Sequence, residues 1–200
     1  MLENLKKNLE SLGYEAVVFE NKEAACAFLN ERINDTSVGI GGSMTVEEMG
    51  LYPALASHNE VFWHQRIPDG MTAEEVRRAA AGCEVYISSV NGIAESGEII
   101  NIDGYGNRVA STLYGHKTVY LVVGKNKVEK SFETALWRAR NVAAPKNAKR
   151  LNKATPCAIL GDKCYDCKSP ARICRALSVF YEKPTSAEFV VVLINEEIGY

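Results

Sequence analysis

The chain has 200 residues, 46% of them hydrophobic and 24% charged, enough for one sizeable core and short for two full domains, so a single domain with a local elaboration is expected. With 23 basic against 25 acidic residues the formal net charge is −2, and no whole-chain field points to nucleic acid or an anionic membrane. The opening stretch from Met1 to Lys7 mixes charge with leucine and has no apolar secretory core, and no apolar run is long enough to span a bilayer; a cytoplasmic protein is expected.

In chain order, Leu2, Leu5, Leu9 and Leu12 form an apolar stripe at helical spacing with Gly13 as its stop. Tyr14–Phe19 predicts a strand, and Asn21 caps a helix that buries Ala25, Phe28, Leu29 and Ile33. Ser37–Ile40 is a short strand running into Gly41, Gly42 and Ser43. Thr45 with Glu48 predicts a capping box just after the glycines, and Thr72 with Glu75 a second one before a helix carrying Val76, Ala79 and Ala80. Strands follow at Val85–Val90, Glu98–Ile102 and Thr118–Val123. A long helix is expected over Val128–Ala143, ending near Pro145. The β-branched run Phe189–Ile194 closes the pattern as part of a C-terminal strand over residues 188–194. Strands alternating with helices predict an α/β fold, a mostly parallel sheet with helices on both faces.

Three groups of residues carry candidate chemistry. Gly39, Gly41, Gly42 and Ser43 lie between a strand and a helix, where glycine lets backbone N–H groups approach an anion, so phosphate or carboxylate is the natural ligand. The spacing is neither a dinucleotide fingerprint nor a P-loop, and a plain tight turn is the competing reading. Glu95 stands just beyond the strand ending at Val90, where ligands of open α/β sheets collect, and could serve as acid, base or nucleophile or be a solvated turn residue. Asn101, Asp103 and Asn107 line the same pocket or stabilise a turn; Lys125 is a weaker candidate to pair with substrate charge.

Cys157, Cys164, Cys167 and Cys174 are spaced C-x6-C-x2-C-x6-C, within a cysteine-rich insertion over residues 155–176. Four soft thiolates in a reducing compartment suit tetrahedral zinc or a [4Fe-4S] cluster, and the spacing does not choose between them. Cys26 and Cys83 read as small core residues on helices. From Lys146 to Lys183 nine basic residues face three acids, which makes the segment an anion-binding rim, a solvated face or, least supported, a zinc-stapled nucleic-acid module lacking aromatic residues for base stacking. His58, His64 and His116 show no ligand spacing and are given no role.

The glycine loop, Ile93-Ala94-Glu95-Ser96-Gly97, Gly106-Asn107-Arg108 and Val122-Val123-Gly124-Lys125 resemble the lactate-utilisation (LUD) domain family over nearly the whole chain. Arg140–Pro145 and the four cysteines resemble one branch of it. The resemblance implies the fold shared by ribose-5-phosphate isomerase, glucosamine-6-phosphate deaminase and CoA transferases, in which a glycine loop holds phosphate or CoA and a strand-end carboxylate does the chemistry. On this chain those would be Gly39, Gly41, Gly42, Ser43 and Glu95. Ser96 stands where the CoA-transferase motif has Asn, so the match is loose; if the protein is an enzyme, acid/base or acyl-transfer chemistry on a small carboxylate or phosphate metabolite is expected, with Glu95 as acid, base or nucleophile. The leading expectation is a small anionic metabolite at the loop and a metal or cluster at the cysteines. The alternative is an electron-transfer accessory of lactate oxidation, meeting an iron–sulfur or redox partner; oligomeric state is left open.

Overall fold

The computed structural model describes all residues from Met1 to Tyr200. The chain runs α1 (Leu2–Ser11), β1 (Glu15–Phe19), α2 (Lys22–Arg32), β2 (Ser37–Ile40), α3 (Met44–Glu48), α4 (Leu51–Ala56), β3 (Glu60–Trp63), α5 (Ala73–Ala81), β4 (Val85–Ser89) and β5 (Gly92–Ala94). It continues through β6 (Ile99–Asp103), α6 (Asn107–Leu113), β7 (Thr118–Gly124), β8 (Val128–Glu129), α7 (Phe132–Arg138), α8 (Ala144–Arg150), α9 (Pro156–Leu160), β9 (Ala176–Phe180) and β10 (Glu188–Ile194). No helix is long and apolar enough to cross a membrane.

Six strands form one wholly parallel sheet in the order β1-β10-β7-β4-β2-β3. Its central strands are apolar on both faces because both faces are covered. In β10, Val190, Val192 and Ile194 enter one core with α2 and α4, while Phe189, Val191 and Leu193 enter the other with Leu5 and Leu9 of α1. The α/β architecture expected from the sequence is thus present. An addition is a second sheet, β8-β5-β6-β9, whose Ile93, Ile99 and Phe180 pack into the second core. Its other side meets Ala135 and Ala139 through Ala94 and Ile100.

Local chemistry accounts for most element ends. Asn21 accepts the Ala24 N–H, and Thr72 and Glu75 close the expected capping box. At the glycine loop the cap is Ser43, which accepts the Val46 N–H, and not Thr45; Thr45 is buried and serves another contact. The expected helix over 128–143 is divided differently. Val128 belongs to β8, and the helix passes through Pro145 by way of a π-turn at Ala139–Ala143. Proline lacks an N–H and crowds the carbonyl four residues back, and the wider π-turn absorbs both defects.

Candidate functional site

The carboxyl ends of β2, β3 and β4 converge on one cavity of about 560 Å³. Gly42 follows β2, His64 and Gln65 follow β3, and Asn91 follows β4; all four line it. This is where parallel sheets collect ligands, because side chains no longer point into the core there. The opposite wall comes from Asp103–Arg108, from the π-turn and α8, and from Pro170–Arg175.

The wall is strongly cationic. Arg77, Arg108, Arg150, Lys153, Arg172 and Arg175 all line the cavity, and none forms an ion pair with a carboxylate. The only acid among the lining residues, Asp103, is committed to the backbone. Its carboxylate accepts N–H groups of Gly104 at 2.7 Å, Arg108 at 2.8 Å and Val109 at 3.2 Å. Arg108 is held by Nη2 donating to the Ile102 carbonyl at 2.5 Å and to Asn91 Oδ1 at 3.4 Å. Arg77 lies over the Tyr105 ring, 4.3 Å from its centroid. His64 is pushed down to about 4 by burial first and then by Arg77 and Arg108, so it is neutral at pH 7.

A smaller chamber of about 40 Å³ adjoins the cavity and shares Gly42, Asn91, Arg108, Asn147 and Arg150 with it. Lys127 lines this chamber. It is 2% exposed, and its Nζ donates to Thr45 Oγ1 at 2.5 Å and Ser89 Oγ at 2.8 Å. Burial, aided by Arg138 and Arg108 and opposed by Glu48, holds its amine down to about 7.

Of the residues singled out in the sequence, Gly42, Asp103 and Asn107 line the cavity and Ser43 the chamber beside it. Gly39 sits within β2, where an added Cβ would lie 2.3 Å from the Ala80 carbonyl oxygen, so its role is strand-to-helix packing. Gly41 lies under the site; a Cβ there would come within 3.0 Å of Arg108 Cγ. Asn101 is buried with its amide oxygen unpartnered, but it does not line the cavity.

Two of the candidates lie away from the cavity. Glu95 does not line the cavity: it follows β5, with its N–H bonded to the Glu129 carbonyl and its carbonyl accepting from Asn8 of α1. The three-residue strand β5 carries the chain away from the end of β4 before Glu95 is reached. Lys125 faces a separate groove with Lys22 and Glu196. The lysine at the site is Lys127, two residues on, and no spacing in the sequence marks it. Arg77 and His64 were equally silent, and Arg108 was marked only within the motif Gly106-Asn107-Arg108.

The four cysteines of the insertion all border one further small chamber, about 20 Å³ in volume. Cys157 is on α9, Cys164 and Cys167 on the following loop, and Cys174 just before β9. All four are free and half-buried, and no three are gathered as ligands of a single ion. Asp166 N–H donates to Cys164 Sγ at 3.4 Å, and Arg172 Nη2 to Cys174 Sγ at 3.3 Å. N–H groups thus lie against two of the four sulfurs. Cys26 is on α2, whereas Cys83 lies just past α5, buried.

A solved structure described as a DUF162 family protein from Deinococcus radiodurans overlays with a TM-score of 0.54 at 10% identity, covering 97% of this chain and 96% of that one. Ribose 5-phosphate isomerase from Plasmodium falciparum overlays over 55% of this chain and 52% of its own, with a TM-score of 0.35 and 14% identity, too loosely to bear on the fold. No curated protein matches the sequence. The LUD domain model matches residues 2–194, both sheets and the cysteine segment included, and the chain belongs to the LUD domain family.

Proposed function

We propose that this LUD domain binds a small, multiply charged anionic metabolite in the cavity beyond β2 and β4, in a role connected with lactate utilisation. The observation that supports this is the set of six cations around one concavity with no carboxylate paired to any of them. Like charges held together repel one another and favour an anion that neutralises them. Arg108, fixed by the Ile102 carbonyl, offers carboxylate or phosphate a preset donor, and Gly42 leaves the loop side open. The concave shape favours a small ligand over an oligonucleotide.

In the same reading, Cys157, Cys164, Cys167 and Cys174 hold a zinc ion or an iron–sulfur cluster. Four thiols around one chamber supply the donor set of either group, and the metal analysis below distinguishes them. A cluster would supply one-electron chemistry; zinc would supply a structural staple. The cysteine chamber shares Ala144, Arg172 and Ile173 with the anion cavity, which supports an electron-transfer role as the second reading.

The test is titration calorimetry with pyrophosphate, inorganic phosphate and lactate on protein purified without oxygen, with metal analysis and an absorption spectrum of the same sample. Saturable binding that the Arg108→Met variant weakens supports the anion reading; no binding by any of the three overturns it. Roughly four irons with matching sulfide point to the cluster, and about one zinc without colour to a staple.

A further inference from the structure

Lys127 lines the smaller chamber that adjoins the anion cavity. Its amine is enclosed by protein and makes two hydrogen bonds, both to hydroxyls, Thr45 Oγ1 and Ser89 Oγ. It forms no ion pair with a carboxylate, although a lysine kept buried for structure alone is ordinarily paired. The chamber of about 40 Å³ is the size of one small polar group and opens beside Arg108 and Arg150. Arg108, Arg150 and Lys127 line this one chamber, so a ligand whose charged end meets those arginines shares the space with the amine.

We propose that Lys127 is a nucleophile that forms a Schiff base with an anionic carbonyl compound, a 2-oxo acid or a phosphorylated aldehyde, held by the cavity arginines. This rests on the anion-binding reading above. In the step, the Lys127 nitrogen lone pair forms a bond to the carbonyl carbon and the carbonyl π pair moves to oxygen, which takes a proton. The carbinolamine then loses that oxygen as water, with the nitrogen proton released, and the C=N bond forms. No oxidant or reductant is consumed. The hydroxyls of Thr45 and Ser89 orient the amine. Tyr200, whose phenol burial keeps protonated, lines the same chamber and can donate to the departing oxygen.

Attack requires the neutral amine. The charged groups facing it are Arg108 of α6 and Arg138 of α7, which oppose its protonation, and Glu48 of α3, which favours it; with burial they bring its titration to about 7. A fair share of Lys127 is therefore a free amine at neutral pH, whereas an exposed lysine is almost wholly protonated.

The experiment is borohydride trapping on the full-length protein with glyoxylate in one arm and glyceraldehyde 3-phosphate in the other, followed by peptide mass mapping. Binding of each probe is measured in parallel by calorimetry. The expected result is a reduced adduct on the Lys127 peptide at least about 10-fold above any other lysine, absent from Lys127→Met and Lys127→Arg; the arm that labels identifies the anion class. Probe binding without a Lys127 adduct, or label spread over the surface lysines, overturns the nucleophile and leaves the anion site standing. Neither binding nor label overturns both. Mapping on the unaltered protein decides the question even if Lys127→Met does not fold.

Discussion

Arg172 donates from Nη2 to the Sγ of Cys174 at 3.3 Å while its side chain also lines the anion cavity. Its Nη1 donates to the Cys167 carbonyl at 2.9 Å, so one guanidinium ties together the two cysteines on either side of the cavity-lining residues Pro170–Ile173. The wall is fixed from the other side by the Arg175 N–H on the Asp103 carbonyl at 2.9 Å. The cysteine site and the anion cavity therefore share a structural element. Arg172→Met is expected to weaken pyrophosphate binding by about 10-fold or more, the usual worth of a charge-assisted contact. Alkylating the four cysteines is expected to weaken it in the same direction. Calorimetry that finds alkylated and unaltered protein binding equally would show the two sites to be independent.

Arg108 and Glu95 are expected to behave oppositely. Arg108→Met removes a positioned cation and should reduce anion affinity by roughly 10- to 100-fold. Glu95→Gln should leave it within about 2-fold, because Glu95 is held to Glu129 and Asn8 outside the cavity. A large loss of affinity in Glu95→Gln would return that carboxylate to the site.

The loop glycines separate packing from function. In Gly39→Ala the new Cβ meets the Ala80 carbonyl oxygen at 2.3 Å, and strand or helix must shift; a loss on the order of 3 kcal/mol, roughly 6–12 °C in melting temperature, is expected. In Gly42→Ala the Cβ meets only the His64 ring, at 3.2 Å, so the melting temperature should move little while anion affinity falls. Thermal melts and calorimetry on the two variants check the contrast.

His64 gives a pH signature. Its native pKa of about 4 lies below its ordinary value of 6.5, so the unfolded chain binds the extra proton first. Its contribution to stability is complete above pH 6.5 and is lost as pH falls from 6.5 toward 4. Allowing for solvent on its open side, ~1–2 kcal/mol is at stake, and His64→Gln should flatten that part of the stability curve. A bound anion among the arginines favours the imidazolium, so His64 should titrate higher with pyrophosphate present, as read by NMR of its ring protons.

The sequence alone determined the parallel sheet, because β1, β4, β7 and β10 are short apolar runs separated by helical periodicity, and burial on both faces demands that pattern. It also marked the caps at Asn21 and Thr72, which act over three residues, and singled out Gly42, Asp103 and Asn107, which line the cavity. The second sheet escaped it: β5 and β8 are three and two residues long, and β9 follows the cysteine segment with no strong alternation of its own. Only the tertiary structure decided the site. Arg77, Arg108, Arg150 and Arg172 come from α5, α6, α8 and the cysteine loop, and nothing along the chain says that all four meet around one cavity. Lys127 looks like its neighbour Lys125 until the fold buries one and leaves the other beside an open groove. Charge on a chain is local, but whether a charge finds a partner depends on which elements the cores bring together.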